Sequence, residues 1–175
     1  MQTIRRAVRN DAREIARVQV ETWRFAYVGI VPQAFLDALD VQERAVMWEE
    51  ILDQDGSDTL VVENADGVLG FISGGALRDG VQVAPQNYDS EIYTLYVAPA
   101  AQGRGAGRQL MRALAEHLLE EGLRRPVVWA LEENPWCAFY ERLGGRRVAQ
   151  KVIEIGGKQL TDIAFGWDDI ESLLR

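Results

Sequence analysis

Ile92-Tyr93-Thr94-Leu95-Tyr96-Val97, then Pro99, then Gln102-Gly103-Arg104-Gly105-Ala106-Gly107, is the stretch whose reading decides the fold. Its first part is β-branched and aromatic, which predicts a strand over Glu91 to Val97 that Pro99 ends. After the glycines, Leu110, Met111, Leu114 and Leu118 recur on one face of a helix predicted over Arg108 to Glu121, and Gly122 closes it. Between strand and helix, glycines at alternate positions let backbone N–H groups turn toward one point with no Cβ in the way. The following helix aims its positive end at the same point. Together they form an anion site fit for a diphosphate, to which Arg104 and Arg108 add charge. Two familiar phosphate loops do not match. A P-loop requires Lys-Ser/Thr after its last glycine, whereas Arg108-Gln109 follows Gly107. A dinucleotide fingerprint requires Gly-x-Gly-x-x-Gly near a first strand; here the third glycine would fall on Arg108, deep into the chain.

On the N-terminal side, Thr3 to Val8 reads as a short strand, and Asn10 or Asp11 can cap a helix on which Ile15, Val18 and Thr22/Trp23 recur. Gly29-Ile30-Val31-Pro32 breaks it. Phe35, Leu36 and Leu39 mark a second short helix, and Val41 to Leu52 a third. Asp55-Gly56-Ser57 is a turn before a strand over Thr59 to Glu63, and Ala65-Asp66-Gly67 is a hairpin turn into the strand Val68 to Leu77. Arg78 to Asp89, with Gly80, Pro85 and Asn87, is loop-like. On the C-terminal side, Pro126 to Leu131 is a strand and Pro135 to Leu143 a short helix. Arg146 to Ile155 and Leu160 to Trp167 form a hairpin around Gly156-Gly157. This order predicts a mixed α+β fold with helices on the faces of a sheet, not an alternating doubly wound one. No repeat, low-complexity tract or Pro/Gly/Ser-rich linker divides it, so one domain over residues 1–175 is expected.

Gln102 to Gly107, placed after a strand ending in Val-x-Pro, resembles residue for residue the pyrophosphate loop of the GNAT (GCN5-related N-acetyltransferase) superfamily. A second segment, Asn134-Pro135-Trp136-Cys137-Ala138-Phe139-Tyr140-Glu141-Arg142-Leu143-Gly144, is similar to the GNAT stretch in which an Asn opens a helix carrying Phe-Tyr-Glu-x-Leu-Gly. Asn134 and Tyr140 stand one residue closer than is commonest in the family, and Gly145 replaces the usual Phe. The resemblance implies a central mixed, mostly antiparallel sheet with helices on both faces. That sheet is splayed at its centre, between the strand ending at Val97 and the one from Val127 to Leu131. It implies acetyl-CoA as donor, with no metal. The open strand edge at Leu95, Tyr96 and Val97 would hold it, with the loop residues Gln102, Gly103, Arg104, Gly105, Ala106, Gly107 and Arg108. Asn134 falls at the pantetheine arm and Tyr140 beside the sulfur. A phenol with an ordinary pKa near 10 is neutral at pH 7 and can donate a proton to a departing thiolate. Glu91, at the start of the splayed strand, is the expected base for the acceptor ammonium, through water. Trp23, Tyr27 and Tyr93 are the expected acceptor-side residues, Trp23 and Tyr27 sharing a helix face. Asp89 and Asp162 are further candidates for contact with a cationic acceptor.

Composition bounds the rest. With 47% hydrophobic and 26% charged residues over 175, the chain has the ordinary mix of a soluble globular protein. Its net charge of −8 lacks the clustered Lys and Arg that a nucleic-acid binder wants, and suits a small-molecule or peptide amine instead. One His and one Cys cannot build a nitrogen/sulfur zinc site. Cys137 has no partner for an intrachain disulfide, which fits a reducing compartment. There is no run of about 20 apolar residues for a membrane span and no apolar signal after Met1, so a cytoplasmic location is expected. A homodimer through the C-terminal strands is an expectation by analogy alone. His117 reads as a rim histidine and Cys137 as a small filler. Two rival readings stand beside the enzyme. One is a GNAT-fold module that holds CoA without turnover. The other is a nucleotide-binding protein using the same loop, disfavoured by the missing Lys-Ser/Thr.

Overall fold

A computed structural model of the protein describes residues 2–54, 58–80, 83 and 88–175. The first strand, β1 (Thr3–Arg6), leads through a 3-10 turn into helix α1 (Ala12–Ala26), then α2 (Gln33–Asp37) and α3 (Val41–Leu52). Strands β2 (Asp58–Asn64) and β3 (Gly67–Ala76) form a hairpin, and β4 (Ser90–Val97) follows. The chain continues with α4 (Ala106–Glu120), β5 (Pro126–Leu131), α5 (Cys137–Arg142), β6 (Arg146–Ile155) and β7 (Lys158–Gly166). A last 3-10 turn spans Ile170–Leu174, a segment the hydrophobic pattern had not marked.

The strands make one seven-stranded sheet in the order β1-β2-β3-β4-β5-β7-β6. Every pairing is antiparallel except β4 with β5. The apolar stripe of α4, through Leu110, Met111, Leu114 and Leu118, packs with Ile72, Ile92, Val128, Ile163 and Phe165 on one face. On the other face Ile15 and Val18 of α1 and Trp48 of α3 pack with Val61 and Phe71, while Tyr27, Val31 and Leu36 pack with Leu131 and Leu160. Truncating a fully buried leucine such as Leu114 would cost about 2–5 kcal/mol.

Element ends depart from expectation for local reasons. Helix α4 starts at Ala106, two residues early, because Gly105 at φ 86° turns the chain into the helix directly. Helix α5 starts at Cys137, since the Asn134 side chain accepts the Trp136 N–H and holds a turn before it. Asp11 does not cap α1 with its side chain. Its carboxylate accepts instead from Val8 N–H and from the Arg5 guanidinium, which ties β1 to the chain entering the helix. The expected turn Asp55-Gly56-Ser57, and Pro85 and Asn87 of the expected loop, lie outside the described residues.

Candidate active site

The centre of the sheet opens for a reason visible in the register. Strands β4 and β5 pair only at Ser90, Glu91 and Ile92, opposite Pro126, Val127 and Val128. At the next residue β4 carries a bulge: Ser73 faces Thr94 and Gly74 faces Ile92, which leaves Tyr93 extra. A bulge bends and twists its strand, and from Tyr93 onward β4 has no partner on the β5 side. Ala98 N–H bonds Leu69 carbonyl across to β3. Antiparallel alternation therefore turns the backbone groups of Leu95 and Val97 toward the opening. The Val97 carbonyl is already taken there, by Thr22 Oγ1 at 3.2 Å and Gln102 Nε2 at 2.9 Å. The Leu95 N–H and carbonyl and the Val97 N–H remain free among the described residues.

At the end of β4 the chain passes through a 3-10 turn at Pro99–Ala101 into the glycine loop. Gly103 and Gly105 take φ of 73° and 86°, which a side chain would strain. The amides of Gly103, Arg104, Gly105, Ala106, Gly107 and Arg108 donate to no group among the described residues. A Cβ built on Gly103 would meet nothing within 4 Å, so the space over the loop is open. These free amides, with the N-terminal end of α4, form an anion cradle that fits a diphosphate.

Opening and cradle belong to one cavity of about 400 Å³. Its lining takes in Leu95, Tyr96 and Val97 of β4, Gln102, Gly103, Gly105, Ala106, Gly107 and Arg108 of the loop and α4, and Asn134 and Tyr140. Tyr27 and Tyr93 line its other side. Tyr140 is 7% exposed and edge-on to Phe139 and Trp167. Burial pushes its phenol far above the ordinary range, with Tyr96 and Cys137 adding to the effect, so it stays neutral. Its hydroxyl has no hydrogen-bond partner among the described residues. A side chain on Gly145 would begin 2.8 Å from the Trp167 ring; the aromatic missing at 145 is supplied from the end of β7. Asn134 donates to Tyr27 Oη at 3.1 Å, which joins the two walls of the cavity. Burial raises the Tyr27 phenol as well.

Several expected site residues lie elsewhere. Glu91 is 1% exposed and outside the cavity lining, and both its oxygens are held by Arg78, at 2.5 and 2.9 Å. It sits on the paired part of β4, before the bulge opens the sheet, and this placement does not offer it as a base. Arg104 lines a separate hollow with Arg17 and Glu21. Trp23 stays behind the lining, donating to Tyr96 Oη at 2.9 Å and meeting the Tyr27 ring edge-on, so it positions the cavity wall. Asp89 is committed to backbone N–H groups of Arg124 and Arg125 and to Ser90 Oγ.

Other lining residues had escaped the sequence reading: Thr22, Thr94, Trp129, Trp136, Phe139 and Arg142. Thr94 Oγ1 and Trp129 Nε1 are buried with no hydrogen-bond partner among the described residues. Arg108 and Arg142 form no ion pair among the described residues. No Asp or Glu lines the cavity among those residues. Cys137 donates to the Leu131 carbonyl at 3.3 Å, and burial pushes its thiol up, so it is a packed thiol. His117 is bound to Asp58 at 2.6 Å, an anchor between α4 and β2 far from the opening. No helix among the described residues is long and apolar enough to cross a membrane.

Known proteins are similar to this chain in sequence and in fold. The chain is 34% identical over 174 residues to the uncharacterized N-acetyltransferase YuaI of Bacillus subtilis, covering 99% of this chain and 96% of that one. In fold it is similar to a GCN5-related N-acetyltransferase from Rhodopseudomonas palustris, with a TM-score of 0.74 at 20% identity over 95% of this chain and 94% of that one. It is also similar to yncA of Salmonella typhimurium, solved with its cofactor acetyl-CoA, with a TM-score of 0.68 at 23% identity over 95% and 93% of the two chains. The family model of the acetyltransferase (GNAT) family matches residues 18–145, a span that holds the opened strand, the glycine cradle and the Tyr140 helix alike, and the chain belongs to that family.

Proposed function

We propose that the chain, acting as one domain over residues 1–175, transfers an acetyl group from acetyl-CoA to a primary amine by direct attack in a ternary complex. One observation carries the reading: six consecutive unpaired amides, Gly103 to Arg108, adjoin a strand edge whose partner has swung away. Acetyl-CoA supplies the acetyl thioester. The loop amides and Arg108 receive its diphosphate, with Arg142 beside the same cavity. The free backbone groups of Leu95 and Val97 align the pantetheine arm as an added strand, and an N–H among them faces the negative charge that develops on the carbonyl oxygen. Tyr140, neutral and with no other acceptor for its proton among the described residues, protonates the departing sulfur, and the proton that the nitrogen gives up as the amide forms restores its phenol.

With no carboxylate in the cavity lining among the described residues, the acceptor enters as the free amine, and solvent takes its proton beforehand. The acceptor side is aromatic and hydroxylic, through Tyr27, Tyr93, Thr94, Tyr96 and Trp129. The test is release of free thiol from acetyl-CoA against a panel of primary amines, alongside calorimetric titration with acetyl-CoA, CoA and ATP. The reading predicts thiol release with at least one amine and no ATP binding. Tight CoA binding without release for any amine would reduce the chain to a CoA-holding module, and ATP binding would overturn the reading.

A further inference from the structure

Asp162 stands on β7 opposite Leu131 of β5 and Lys151 of β6. Two residues along the same face, Ala164 is paired with Trp129, which lines the cavity. Asp162 is 8% exposed, and its carboxylate accepts no hydrogen bond among the described residues. Lys151 is its one ion-pair partner among those residues, and a loose one at 3.9 Å. The same Lys151 Nζ lies 3.9 Å from the centroid of the Trp129 ring. One ammonium is thus poised between a carboxylate short of partners and an aromatic face on the cavity wall, the two groups that attract a desolvated cation most strongly.

Resting on the acetyltransferase reading, we propose that Asp162, which stands behind the cavity lining, and the Trp129 ring, which belongs to it, form a cation subsite at the border of the acceptor pocket, filled by Lys151 in the free protein and by a second cationic group of the acceptor during turnover. Burial raises the Asp162 carboxyl while Lys151 pulls it the other way, so the site gains from a closely held cation. Lys151 can withdraw, because its side chain is 46% exposed and its ion pair with Asp162 is long. An ammonium held by a carboxylate and an aromatic face stays protonated and has no lone pair to attack a thioester. The group in this subsite is therefore not the reacting nitrogen, and the acceptor class that follows is a diamine, or an amine bearing a second cation. Asp89 and Tyr93 do not compete for the role. Asp89 is bound to backbone amides, and the Tyr93 hydroxyl donates to the Ala76 carbonyl with Arg78 over its ring.

The experiment compares kcat/KM for three acceptors on one four-carbon frame: 1,4-diaminobutane, n-butylamine and 4-aminobutyrate. The subsite predicts the diamine over 4-aminobutyrate by at least about tenfold, with n-butylamine between. Asp162→Asn should shrink that ratio to under about threefold without lowering the thermal midpoint, since it removes a buried charge. Lys151→Met should raise kcat/KM for the diamine by vacating the subsite. A preference for 4-aminobutyrate would make Lys151 a carboxylate binder and overturn the proposal. So would a diamine preference that survives Asp162→Asn, or transfer to none of the three by protein that binds acetyl-CoA. Failure to bind acetyl-CoA in the calorimeter would instead sink the acetyltransferase reading beneath it.

Discussion

A phenol serves as an acid only while it keeps its proton, and the surroundings of Tyr140 see to that: burial in an aromatic cluster, with no acceptor bonded to its hydroxyl. On the proposed mechanism, Tyr140→Phe lowers kcat by roughly 10- to 10⁴-fold, with an unchanged thermal midpoint because no hydrogen bond is lost; steady-state kinetics and thermal unfolding check both. With solvent deprotonating the amine, log kcat/KM should rise with pH at unit slope toward the acceptor's own pKa. Glu91→Gln should keep that profile and lower stability by about 1–3 kcal/mol, the cost of disturbing a buried charge-assisted pair. A lost slope in that variant would restore Glu91 as base. The place of Tyr140 in the cavity lining was legible in the sequence because it belongs to an unbroken motif. Glu91 lies outside that lining because its place depends on where β4 stops pairing, and the Tyr93 bulge puts that point after it. Trp129 and Thr94 gave no signal, since on a strand they are indistinguishable from core residues until the sheet opens.

At the scale of elements, the loop and α4 were read nearly in full, because glycine placement and helical periodicity are local properties. The splay was available only through family resemblance. It is a mismatch between two strands separated by a helix, with no mark in either strand alone. Gly103 offers the cleanest test of the loop. Alanine there meets open space but must hold φ of 73°, a strain of about 1–2 kcal/mol. Gly103→Ala should weaken acetyl-CoA binding about tenfold, equal to about 1.4 kcal/mol, through a Cβ placed in the cradle. Calorimetry with acetyl-CoA checks it, and undiminished affinity would mean that the diphosphate lies elsewhere.

For the whole molecule, two carboxylates govern behaviour in acid. Arg5 holds Asp11 below the usual carboxylate range despite burial. Burial works against ionisation of Asp89, but the amides of Arg125 and Arg124 and the Ser90 hydroxyl outweigh it and hold it low as well. Such groups contribute stability that is full above their unfolded pKa, near 3.9, and is lost as pH falls through the lower folded values. Asp162, raised by burial, has the opposite sign: its contribution falls as pH rises from the unfolded value through the folded one. Thermal midpoints should therefore drop steeply below about pH 4, and Asp11→Asn or Asp89→Asn should flatten that drop.

On the proposed mechanism, the amides of Gly103 to Arg108 and the open edge of β4 receive one ligand together. Backbone amide resonances of the ¹⁵N-labelled protein, followed during titration with acetyl-CoA, test it most directly. The largest shifts are expected at Gly103 to Arg108, accompanied at the same saturation by Leu95 and Val97. Shifts centred elsewhere, or a loop that responds while β4 stays still, would contradict it.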